Sequence, residues 1–124
     1  MSKKNLNVLG QPLELCSIQP LTGFLRDGCC SEHENDYGKH FVCAKITVDF
    51  LQFSLEKGND LITPKPEFNF PGLKEKDNWC LCLDRWIEAM NNNVAPKIIL
   101  QSTNRLILKK IDLEIIKKFA IDIN

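Results

Sequence analysis

The sequence predicts an α+β fold: a single compact domain with a small mixed sheet, packed by about three helices and joined by long irregular loops. Three observations predict it. Apolar residues recur at helical spacing in three places, after Thr47, after Asp77 and after Asp112. Short apolar runs at 41–46 and 97–103 have the length and composition of strands. Between them lie two stretches, 11–40 and 59–77, in which proline and glycine recur and no period survives. Strands and helices do not alternate strictly, so a doubly wound parallel sheet is not expected.

At 124 residues, one domain spanning 1–124 is the expectation. A chain of this size buries roughly two-thirds of its unfolded surface, enough for a core without covalent staples. Residues 1–8 read as a flexible lead-in. Sixteen basic and 16 acidic residues cancel. That removes the electrostatic footprint of a nucleic-acid binder and of a protein held on an anionic membrane. No apolar run approaches the roughly 20 residues of a membrane span, and Val8-Leu9-Gly10 is too short for a signal-peptide core. The chain therefore reads as cytoplasmic. In that compartment thiols are kept reduced, so an even count of six cysteines does not by itself argue for a disulfide framework.

The elements follow in order. Phe41–Ile46 reads as a short buried strand. Thr47 caps the first helix, because its hydroxyl accepts from first-turn amides, and Asp49 suits the positive end of the dipole. Val48, Leu51 and Leu55 fall on one face, with Phe50 and Phe53 alongside, and Gly58 suits a left-handed stop. Residues 59–77 hold Pro64, Pro66, Pro71 and Gly72 interleaved with Phe68, Phe70 and Leu73. A loop that long is functional or folded onto the core. Trp79, Leu83, Trp86, Ile87 and Met90 fit one helix capped by Asp77. The competing reading is a strand over Trp79–Leu83 with a helix from Asp84. Lys97–Thr103 reads as a central strand. Asp112 caps a last helix with Leu113, Ile116 and Ala120 inward.

Several segments carry motifs: Pro20-Leu21-Thr22-Gly23-Phe24-Leu25-Arg26-Asp27-Gly28-Cys29-Cys30, Gly38-Lys39-His40-Phe41-Val42-Cys43-Ala44, Gly58-Asn59-Asp60-Leu61, Phe70-Pro71-Gly72-Leu73 and Trp79-Cys80-Leu81-Cys82, with Arg85-Trp86 after it. In these the chain resembles the bacterial family called domain of unknown function 2237, from about Asn7 to Ala120. The resemblance implies a small standalone bacterial-type protein and no particular activity. Members often carry a Thr-His pair where this chain has Thr103-Asn104, which would leave a chemistry centred on that histidine without its base here.

Sulfur fills core, binds metal or performs nucleophilic chemistry. The leading reading is thiol chemistry on a small molecule, with Cys29 or Cys30 as nucleophile. Arg26 or Arg85 would stabilise the thiolate, Asp27 would oppose Arg26 or anchor it, and His40 would shuttle protons. Cys43, Cys80, Cys82, Arg85 and Asp60 complete the expected binding surface. The alternative is a non-catalytic binding module stabilised by zinc or another transition metal, its ligands drawn from Cys16, Cys29, Cys30, His40, Cys43, Cys80 and Cys82. On a helix Cys80 and Cys82 diverge, and on a strand they share a face. A third reading makes every cysteine a packing residue in a structural or adaptor protein. No phosphate-cradling glycine loop, dinucleotide fingerprint or nucleophile elbow is present.

Overall fold

A computed structural model describes residues 5–122. Among the described residues, β1 (His40–Lys45) and β2 (Asn78–Cys82) form an antiparallel pair. The helices are α1 (Val48–Glu56), α2 (Leu83–Asn91) and α3 (Leu113–Lys117). Short 3-10 turns occupy Pro66–Phe68, Leu100–Ser102 and Arg105–Lys109. This is an α+β fold. The mixed character of its sheet lies in single bridges, since Ile98 pairs antiparallel with Ala44 and parallel with Ala120.

Side chains alternate along a strand, so the pair has two faces. Val42 and Ala44 stand opposite Leu81 and Trp79, and all four enter the main apolar core with Phe50, Trp86, Ile98 and Ile116. Cys43 stands opposite Cys80 on the other face. There the two meet Cys16 and Cys30 in a second buried cluster. The irregular segment 11–36 lies over this second face.

The caps work as local chemistry requires. Thr47 Oγ1 accepts from Phe50 N at 3.1 Å, and Gly58 turns the chain away with φ +85°. The inward face of α1 differs in part from expectation: Phe50 and Leu51 are buried with Ser54, while Val48 and Leu55 are exposed. The second helical stretch resolves in favour of the strand-then-helix reading. A strand runs to Cys82, and the buried stripe of α2 is Leu83, Trp86 and Ala89. Trp86 Nε1 donates to Pro96 O at 3.1 Å.

One expectation is corrected. Lys97–Thr103 is no strand. It bonds to β1 twice, Lys45 N to Lys97 O and Ile99 N to Cys43 O, both at 2.9 Å. Side chains then replace the ladder: Thr103 Oγ1 bonds Ile99 O, and the Asp122 carboxylate accepts from Leu100 N and Gln101 N. The part of the lead-in that is described, Asn5–Val8, is tied to the body. Asn7 is wholly buried, accepts from Leu9 N and Gln11 N, and donates to Gln101 O at 3.0 Å. Residues 1–4 lie outside the described residues.

Candidate functional site

The segment over the sulfur face is shaped by side chains and glycines. Gly28 sits at φ +87°, and a Cβ there would meet Leu15 Cδ1 at 2.7 Å and Ser17 O at 3.2 Å. Its carbonyl accepts from Cys16 N at 2.7 Å, which positions Cys16. Asp27 Oδ1 accepts from Cys29 N at 3.0 Å, and Oδ2 from the Ser31 hydroxyl at 3.3 Å. Thr22, fully buried, accepts from Cys80 N at 2.8 Å and so ties the segment to β2.

This crossing brings four sulfurs together as two bridges, Cys16–Cys43 and Cys30–Cys80, with Cα separations of 5.8 and 5.3 Å. The reading of six reduced thiols is corrected accordingly. The sheet register sets Cys43 and Cys80 side by side, and the segment above supplies one partner for each. Sulfurs of Cys16, Cys30 and Cys80 lie within 4.8 Å of one another. Thr103 and Asn104 brace the cluster: Thr103 Oγ1 accepts from Cys43 N, and Asn104 Nδ2 donates to Cys30 O at 3.0 Å.

Cys29 and Cys82 remain thiols, each half-buried. Burial first, and Asp27 second, push the Cys29 thiol above its usual value. Arg26 does not offset this. Its guanidinium donates to the carbonyls of Gly23 at 2.6 Å, Phe68 at 2.9 Å and Asn69 at 3.4 Å, and lies 5.1 Å over the Trp79 ring. Partial burial lowers the Arg26 pKa. The side chain is thus a clamp that fastens the proline-containing loop to the first third of the chain. Arg85 bonds Glu88 and Lys57 O, both at 3.3 Å, away from the bridges.

Beneath the clamp lies a cavity of about 570 Å³. Phe24, Arg26 and Trp79 form one side, Asp60 and Lys65 stand on the loop side, and His40 reaches in from the start of β1. Cys80 also contributes to the wall. The Asp60 carboxyl is held down to about 2 by the Thr63 hydroxyl and by the Thr63 and Ile62 amides. Lys65 Nζ donates to Asp60 O at 3.1 Å, which closes the loop on itself.

His40 is the best-oriented group in the wall. Its Nδ1 lies 2.7 Å from Asp36 Oδ1, and its backbone N–H donates to Asp36 Oδ2 at 2.9 Å. The Asp36 side chain is 1% exposed and the imidazole 38%. A carboxylate only accepts, so the shared proton belongs on Nδ1, and it is the neutral form of the ring that carries a lone pair on Nε2. Gly38 permits the arrangement, because a Cβ there would meet His40 Cε1 at 2.9 Å. Phe24 lies against the ring, with centroids 6.3 Å apart and planes 28° apart.

The match to a family runs over residues 6–120. The chain belongs to the family described as "Uncharacterized protein conserved in bacteria (DUF2237)". No curated protein matches it.

Within this DUF2237 protein the expected site residues divide between two clusters and several separate positions. Cys16, Cys30, Cys43 and Cys80 make the buried sulfur cluster. Arg26, His40 and Asp60 line the cavity, with Cys80 between the two. Asp27 and Cys29 form a turn beside Gly23, Cys82 is the register partner of His40, and Arg85 stands apart on α2. Asp36, Phe24, Lys65 and Trp79 were not among the expected site residues. The signal for Asp36 was available, since an Asp four residues before a His across Gly38 is a turn that can close on the ring.

Proposed function

We infer that this protein binds a small, partly aromatic or apolar organic molecule in the cavity, and that His40, oriented by Asp36, exchanges a proton with it. The observation that carries the reading is the imidazole in the wall. A buried carboxylate holds Nδ1 of an imidazole that lines a space of about 570 Å³. Ligand sites are commonly cavities of roughly 300–1,000 Å³ with aromatic walls and a few convergent polar groups. Proton transfer by a positioned imidazole near neutral pH is the chemistry such a pair supplies.

The bridges act on this reading as framework. They hold segment 11–36 against the sheet, and that segment provides Phe24 and Arg26. Thiol chemistry is supported less well. The Cys30 and Cys80 sulfurs are bonded to each other, and the raised Cys29 pKa leaves less thiolate near neutral pH. Iodoacetamide is expected to label Cys29 more slowly than a free model thiol at pH 7, and faster labelling would restore Cys29 as a nucleophile.

The reading keeps the sequence's expectations of a cytoplasmic place, a small-molecule partner, and neither nucleic acid nor membrane, in view of the cancelling charges. Among the described residues no helix is long and apolar enough to cross a membrane. Reducing agents attack exposed bridges first, and the four bridged cysteines are at most 6% exposed, which supports their persistence in such a compartment.

A fragment library screened by two-dimensional NMR tests the proposal. Hits are expected to shift the signals of Phe24, His40 and Trp79 together. Asp36→Asn is expected to change the pH profile of binding while the bridges stay intact. Hits that gather elsewhere, or a His40→Ala variant that binds them unchanged at every pH, would overturn it.

A further inference from the structure

The sulfur cluster has a geometry that two bridges alone do not require. Each disulfide needs only its own pair, yet these two interleave, with sequence separations of 27 and 50, and meet at one point. Cys43 and Cys80 are direct register partners on neighbouring strands. Cys16 and Cys30 come down on them from the same overlying segment, whose backbone is fixed by Gly28 and Thr22 rather than by the bridges alone. Three of the sulfurs already lie within 4.8 Å of one another, and the fourth is bonded to Cys16. A tetrahedral zinc–thiolate centre has bonds of about 2.3 Å, which puts its sulfurs about 3.8 Å apart. The shifts required are small against the freedom of a cysteine side chain.

We propose that, when its two bridges are reduced, this protein binds one zinc-type divalent ion through Cys16, Cys30, Cys43 and Cys80. Cys29, Cys82 and His40 are not ligands. The balance is complete. Two equivalents of a dithiol reductant deliver four electrons and four protons, the two S–S bonds break, and four thiols form. Binding of the cation displaces the four thiol protons to solvent and makes four metal–sulfur bonds. The same four atoms therefore have two closed states, disulfide and metal centre, chosen by the redox poise of the surroundings. The ladder between β1 and β2 and the apolar core on its far side keep Cys43 and Cys80 adjacent in both. The proposal is independent of the cavity reading, since no cavity side chain other than Cys80 takes part.

Cobalt(II) is the probe. The protein is reduced with a trialkylphosphine under anaerobic conditions and titrated with the metal alone. One cobalt per chain is expected, with thiolate-to-metal charge-transfer bands and the intense d–d bands of a tetrahedral site, all bleached by zinc. Cys43→Ser and Cys80→Ser are expected to lose the spectrum, and a double variant, Cys29→Ser with Cys82→Ser, to keep it. Should reduction unfold the chain, cobalt is expected to restore far-ultraviolet dichroism and tryptophan emission at one equivalent. Reduced protein that gives no such bands and no such refolding overturns the proposal. So does a spectrum that survives in Cys43→Ser or disappears in the Cys29/Cys82 variant.

Discussion

β1 and β2 carry apolar side chains on one face and cysteines on the other, and different forces close the two faces. Over the apolar face come α2 and the C-terminal 3-10 turns, with α1 packed on α2, and large side chains such as Phe50, Trp86 and the Ile116 of α3 fill one core. Over the sulfur face comes segment 11–36, which has no helix and leaves Leu15, Ile18, Leu21 and Leu25 exposed. A segment that buries so little apolar surface gains little from the hydrophobic effect to offset the entropy of ordering it. Bridges and side-chain hydrogen bonds hold it instead. The cavity lies where this segment meets the proline-containing loop, so its shape depends on the more weakly packed half.

The largest loss of stability is expected on the apolar face. Trp86 is 1% exposed and packs edge-on against Phe119 at 5.0 Å. Trp86→Ala is expected to cost about 3–5 kcal/mol in urea unfolding, with the whole molecule losing stability together. A loss confined to one loop would show that this side chain does not belong to the common core.

The sulfur face comes next. Replacing Cys30 and Cys80 together by serine opens a loop of sequence separation 50 and is expected to cost about 4 kcal/mol. Replacing Cys16 and Cys43 opens one of separation 27, for about 3.5 kcal/mol. Amide exchange should rise first in segment 11–36 and later in α1 and α2. Equal acceleration everywhere would remove the distinction between the faces.

A smaller break comes at Gly28. With φ +87° and Leu15 Cδ1 at 2.7 Å from the position of a Cβ, Gly28→Ala is expected to cost about 1–3 kcal/mol while both bridges still form. Stability at the wild-type level would mean that the segment adjusts freely.

The smallest effect is a pH dependence. The Asp60 carboxyl titrates at about 2 against an ordinary 3.8, so its folded value lies below its unfolded one. Its contribution to loop order is then complete above about 3.8 and lost as pH falls through about 2. The amide signals of Ile62 and Thr63, which donate to Asp60 Oδ1, should report that midpoint. A midpoint near 3.8 would show that the turn does not hold the charge.

Particular residues show how much was legible. Thr47, Gly58 and Asp112 marked helix ends correctly, because a cap is read from a few neighbouring positions. The face of α1 was read in part: Phe50 and Leu51 are buried as expected, while Val48 and Leu55, which share the stripe by spacing, are exposed and Ser54 is buried instead. The strand expected at 97–103 failed because Asp122, far along the chain, captures Leu100 and Gln101. Of the expected site residues, Arg26, His40 and Asp60 line the cavity, and Arg26 donates to carbonyls rather than to a thiolate. Asp36 was missed because its value depends on a turn that closes across Gly38.

Taken alone, the sequence determined the two ends of α1 and the start of α3, that much of 11–40 and 59–77 stays irregular, and that six cysteines would matter, since caps, prolines and cysteine content are local properties. Only the tertiary structure decided which sulfurs pair, which thiols stay free, and that a histidine rather than a cysteine offers the oriented group. Those outcomes depend on how segment 11–36 crosses the sheet, and a crossing is settled by contacts between residues far apart in the chain.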